Sequence, residues 1–142
     1  MAPTRILAVD DFPPFRLLAR STLASHPRLR IIGEAADGQE AVEKARYLRP
    51  ELILLDIGLP TLNGIEAARR IREFDPETKI VFLSQNCLWS IVEEGLRAGA
   101  DGYVLKTDIS TELSTAVEAV LEGRQYVSSS FNGHIDAAPA VA

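Results

Sequence analysis

The sequence predicts an α/β domain built on a doubly wound, five-stranded parallel sheet. Three observations predict it. Five short apolar runs, at 6–9, 29–36, 52–55, 80–83 and 102–105, alternate with five stretches of helical period. Four of the runs are continuously apolar, as in strands covered on both faces. The links between runs and helices are short, which with right-handed crossovers gives an open parallel sheet.

Each element has its own signal. The first run leads into Pro13 and Pro14, which suit the first turn of a helix. There Phe15, Leu18, Ala19, Thr22 and Leu23 fall at i, i+3, i+4, i+7 and i+8. Leu17 lies off that stripe and is a candidate docking or dimer contact. The second run has polar breaks and reads as an edge strand. The second helix, Gly38–Leu48, uses Val42, Ala45 and Leu48. After the third strand, Asn63 is a good N-cap for a helix carrying Ile65, Ala68 and Ile71. The fourth helix carries Leu88, Ile91, Val92 and Leu96, with Trp89 expected to be half-buried. The fifth, with Ser110 as its expected cap, carries Leu113, Ala116, Val117, Val120 and Leu121. The helical period stops at Gly123. Residues 1–123 are thus expected to form the domain, and the Ser-, Ala- and Gly-containing stretch 124–142 a flexible tail or linker.

Composition narrows the function. Leu, Ile, Val and Phe make up 42 of the 142 residues, enough for one core. No apolar run approaches the roughly 18–20 residues of a membrane span, and the N-terminus does not read as a signal peptide. The single cysteine, Cys87, excludes an intramolecular disulfide and a cysteine-based zinc site, and suits a reducing cytoplasm. A net charge of −5 argues against direct DNA contact by these residues. The charge is uneven, net +2 over 1–72 and net −7 over 73–142. Glu93, Glu94, Asp101, Asp108, Glu112, Glu118 and Glu122 are expected around one surface, either as solvated helix faces or as a surface that meets a basic protein partner or a second copy of the chain.

In open parallel sheets, ligands bind beyond the carboxyl ends of the strands. The residues there are Asp10 and Asp11 after the first strand, Asp56 after the third, Ser84 after the fourth and Lys106 after the fifth. Each alone is ordinary loop or cap chemistry; four strand ends carrying such groups together are not. Three crowded carboxylates raise one another's pKa values, and a divalent cation relieves this. Mg²⁺ (or Mn²⁺) suits oxygen ligands of this kind. With the cation bound, Asp56 stays ionised and can attack a phosphorus to give an aspartyl phosphate. Lys106 and the Ser84 hydroxyl are then placed to stabilise charge on the phosphoryl oxygens.

The stretches Ile6-Leu-Ala-Val-Asp-Asp11, Leu54-Leu-Asp-Ile-Gly-Leu-Pro60 with Asn63-Gly64, Val81-Phe-Leu-Ser84 and Gly99-Ala-Asp-Gly-Tyr-Val-Leu-Lys106 carry a family resemblance. The chain resembles a response-regulator receiver domain of bacterial two-component systems, over about residues 4–123. The wording around Gly38 and Gly64-Ile-Glu-Ala-Ala-Arg-Arg70 is similar to the LuxR/NarL-type branch, whose members usually carry a helix-turn-helix DNA-binding domain. The resemblance implies a flavodoxin-like (βα)₅ fold with strand order 2-1-3-4-5. It implies Asp56 as phosphoacceptor from a histidine kinase. Asp10, Asp11, Asp56 and the Gly58 carbonyl would hold Mg²⁺, Lys106 would pair with the phosphoryl group, Ser84 would be the switch hydroxyl, and Tyr103 the switch aromatic that swings inward. It implies no enzymatic turnover beyond assistance to the domain's own phosphorylation and dephosphorylation.

Three departures accompany the resemblance. Thr107 follows the lysine where many receivers have Pro, Gln85 follows Ser84 where a small residue is usual, and the resemblance is to the receiver alone, with residues 124–142 not expected to form an output domain. Gln85 is expected to cover the phosphoryl group in part and slow attack by water. The alternatives are a stand-alone regulator acting by protein–protein contact and a pseudo-receiver that only binds partners. A dehalogenase-type phosphatase fits poorly, because Asp10 and Asp11 are followed by Phe-Pro-Pro. A dinucleotide module is disfavoured because those carboxylates would repel its phosphates.

Overall fold

Alternation within the strands divides the core in two. Leu52 and Leu54 pack on one side of the sheet and Ile53 and Leu55 on the other, and all four are buried. A strand flanked by helices on both faces needs apolar residues at every position, which is why these runs show no polar alternation.

The computed structural model describes residues 2–85 and 88–131. The strands are β1 (Thr4–Val9), β2 (Leu29–Ala35), β3 (Leu52–Asp56), β4 (Lys79–Ser84), β5 (Gly102–Leu105) and β6 (Tyr126–Val127). The helices are α1 (Pro13–Leu23), α2 (Gly38–Leu48), α3 (Gly64–Phe74), α4 (Trp89–Arg97) and α5 (Ile109–Leu121). Strand order is β2-β1-β3-β4-β5-β6, with every pair parallel. Ala19 and Leu23 of α1 and Leu113, Ala116, Val117 and Val120 of α5 cover one face. Ala41, Val42 and Ala45 of α2, Ile65, Ala68 and Ile71 of α3 and Val92 of α4 cover the other.

The cap expected at Asn63 is present, and α2 has an equivalent one at Asp37. Asp37 and Asn63 each accept a hydrogen bond from the backbone N–H three residues on. The cap expected at Ser110 is corrected: α5 begins at Ile109 and no side chain caps it. Asp108, at the capping position, instead accepts from the hydroxyls of Ser128 and Ser130.

The sheet also differs from the expected five strands. A sixth strand adds parallel to β5, pairing Gly102 with Tyr126 and Tyr103 with Val127. It arises from the stretch expected to be tail. Ordered packing runs past Gly123 to Phe131, which is wholly buried. Two strand residues and one aromatic ring are too short a signal for periodicity to detect. Cys87 and residues 132–142 lie outside the described residues.

Candidate functional site

Because β1, β3, β4 and β5 are neighbours, their carboxyl ends bring Asp10, Asp11, Asp56, Ser84 and Lys106 to one rim. Asp10, Asp56, Ser84 and Lys106 are buried there, while Asp11 is exposed. A buried ammonium needs compensation, and Lys106 has it. Its Nζ lies 2.7 Å from Asp10 Oδ2 and 3.3 Å from Asp56 Oδ2. On a third side it stands 4.2 Å from the centroid of the Phe15 ring, in cation–π geometry.

Local backbone geometry sets both carboxylates. The Phe12 N–H donates to Asp10 Oδ1 at 2.8 Å, and the Arg16 guanidinium donates to the Asp10 carbonyl. The Gly58 N–H donates to Asp56 Oδ1 at 3.3 Å. Behind Asp56, α3 starts so close that a Cβ on Gly64 would lie 2.0 Å from the Asp56 carbonyl oxygen. Only glycine lets the Gly64 N–H donate to the Ile57 carbonyl at 2.8 Å and hold the helix there.

Burial, together with the neighbouring Asp10 carboxylate, holds the Asp56 carboxyl above the ordinary aspartate range, against the opposing pull of Lys106 and the Gly58 N–H. One oxygen from each of Asp10, Asp11 and Asp56 lies within 4.8 Å of the others. Three anionic oxygen donors with no nitrogen or sulfur among them fit a hard cation such as Mg²⁺, and a bound cation would offset the repulsion that raises Asp56. A cavity of about 690 Å³ opens beside the cluster, lined by Asp11, Phe12, Phe15, Asp56, Ile57, Gly58, Ser84, Gln85 and Lys106. It is open to solvent at the exposed Gln85 and walled by Phe12 and Phe15, whose rings stand 5.5 Å apart.

Tyr103 lies elsewhere. It is wholly buried on β5, edge-on to Phe131 at 5.5 Å and tilted against Phe82 at 6.2 Å. The inward position expected to follow phosphorylation is therefore already occupied. Sequence reasoning placed Phe15 in the core stripe and did not see it as a wall of the cavity. The available signal was its place four residues after Asp11, one helical turn beyond the carboxylates.

With this geometry in hand, comparison with known proteins is specific. The family model of the response regulator receiver domain matches residues 6–118. The transcriptional regulatory protein DegU of Brevibacillus brevis is 35% identical over 123 residues, 87% of this chain and 52% of that protein. The nitrate/nitrite response regulator protein NarL of Escherichia coli is 34% identical over 126 residues, 89% of this chain and 58% of that protein. The chain thus spans about half the length of the curated relatives it matches. The crystal structure of a LuxR-family two-component response regulator from an Aurantimonas species superposes with a TM-score of 0.92 at 33% identity, covering 98% of this chain and 99% of that one. The signal receiver domain of a putative NarL from Mycobacterium tuberculosis gives 0.83 at 31% identity, covering 87% and 100%. The family model covers most of the chain and the relatives exceed 30% identity over more than four fifths of it, so the chain belongs to the response regulator receiver domains of the LuxR/NarL type.

Proposed function

We propose that this receiver accepts a phosphoryl group on Asp56 from the phosphohistidine of a histidine kinase, and that the aspartyl phosphate is its signalling state. The observation that carries the reading is the Asp10–Lys106–Asp56 arrangement. It places an anionic oxygen beside an open cavity with a cation 3.3 Å away. An Asp56 oxygen attacks phosphorus, the P–N bond to the imidazole breaks, and the imidazole nitrogen leaves with the bonding pair. A divalent cation, when bound by Asp10, Asp11, Asp56 and the Gly58 carbonyl, supplies charge neutralisation to the transferring oxygens. Lys106 turns its N–H groups from the carboxylates to the phosphoryl oxygens, and Ser84 donates its hydroxyl to one of them. Phe12 and Phe15 limit water on one side, and Gln85 lies at the open mouth.

The names of the relatives support a role in transcription regulation for the protein that contains this receiver, acting in the cytoplasm on a kinase's signal. The phosphoryl step is self-assisted chemistry on a bound group, without turnover of a free substrate. Incubation with acetyl phosphate and Mg²⁺, read by intact mass, is expected to add one phosphoryl group to the wild-type chain and none to Asp56→Asn. No gain in the wild type, or equal gain in the variant, would overturn the assignment.

A further inference from the structure

Tyr126–Phe131 does more than follow α5. We propose that it is a strap coupled to the phosphoryl site, docked most firmly when Asp56 is phosphorylated; the inference rests on the reading of Asp56 just given. Two anchors tie it to β5 and to the turn that follows Lys106. The first is Tyr103 on β5. The Ser128 N–H donates to the Tyr103 carbonyl at 2.8 Å, and the Phe131 ring meets the Tyr103 ring edge-on. The second is Asp108, the last residue of the 3₁₀ turn that begins at Lys106. Its carboxylate accepts from the Ser128 and Ser130 hydroxyls. The strap thus contacts Tyr103 directly and reaches Lys106 only along the backbone of the turn that Asp108 ends.

The strap is built as an ordered element. Ser128 and Phe131 are wholly buried. Glu112 of α5 accepts from the Tyr126 hydroxyl and from both the N–H and hydroxyl of Ser129. With the strap docked, Tyr103 has Phe131 against its ring and is held inward. Inward Tyr103 is the arrangement expected to accompany Ser84 bonding to a phosphoryl oxygen. Docking and phosphorylation therefore favour the same state, and linkage makes the effect reciprocal. Ser128 and Phe131 act as positioning residues for the switch, through Tyr103 and Asp108, and touch no reacting atom.

The test uses the full chain with beryllofluoride and Mg²⁺ as a phosphoryl mimic. Hydrogen exchange of the Ser128 amide is expected to slow about fivefold or more when the mimic binds. Phe131→Ala is expected to weaken mimic binding by a similar factor, and Ser130→Ala by a smaller one. Trp89, the only tryptophan, lies 6.5 Å from the Phe131 ring and reports docking by its emission. If Phe131→Ala does not fold, exchange in the wild type and Ser130→Ala decide. Mimic binding to the wild type with unchanged Ser128 exchange, or with wild-type affinity in folded Phe131→Ala, overturns the strap and leaves Asp56 as phosphoacceptor. Failure of the wild type to bind the mimic or to be labelled by acetyl phosphate overturns both.

Discussion

At Lys106 a buried ammonium has carboxylates on two sides and an aromatic face on a third. Nothing in its local sequence names those partners, yet the lysine itself was legible, because it directly follows an apolar run. The same holds for Asp10, Asp11, Asp56 and Ser84. What was not legible is the state of Tyr103, set by a ring 28 residues further along the chain. Asp56 carries a cost of function. Its folded-state pKa is raised, so the native chain holds that proton more tightly than the unfolded chain, and stability falls as pH rises from the ordinary aspartate range through the raised value. Asp56→Asn removes the cost. In a chelator at neutral pH the variant is expected to unfold with about 1 kcal/mol more stability than the wild type, with the gap closing toward about pH 4. Paired thermal melts at both pH values check this, and a less stable variant at neutral pH would refute it.

Among the elements, α3 shows how a helix start shapes a strand end. Asn63 is a cap by its residue type, and its side chain does accept from the Glu66 N–H at 2.9 Å. The sequence carried no sign that Gly64 also stands against the backbone of Asp56. Gly64→Ala is expected to destabilise the fold by about 3 kcal/mol, because backbone must move to admit the methyl group. Gly58 is the control: a Cβ there meets nothing within 4 Å, so Gly58→Ala is expected within about 0.5 kcal/mol of wild type. Denaturant unfolding of the two variants compares them directly, and equal stabilities would refute the packing argument. At the start of α5, Ser110 looked like the cap from local propensity alone. The nearby Asp108 was drawn instead to serines about 20 residues away.

For the molecule as a whole, the excess of acid in the second half acquires internal uses. Asp101 accepts from Arg72 and from the Ile80 N–H, both at 2.9 Å, which ties α3, β4 and the start of β5 together. Asp108 and Glu112 hold the strap. Three of the seven acids expected on a solvated or partner-facing surface are therefore structural ties. The hydroxyl of the half-buried Tyr126, bonded to Glu112, is pushed up to about 12 by partial desolvation and that carboxylate. An unfolded tyrosine ionises near pH 10. The native chain thus keeps this proton where the unfolded chain loses it, and stability is lost as pH rises from about 10 to 12. Tyr126→Phe is expected to remove that part of the alkaline loss in pH-dependent denaturant melts, and a variant with an unchanged alkaline profile would count against it. The sequence by itself determined the succession of strands and helices along the chain, the parallel sheet and the residues at its rim. Those follow from short-range periods and from positions at strand ends, which any local window contains. Only the tertiary structure decided the sixth strand, the partners of Lys106, the inward Tyr103 and the attachment of Tyr126–Phe131. Each depends on side chains far apart in sequence meeting in one place, and burial and hydrogen bonding choose among such meetings only once the sheet has formed.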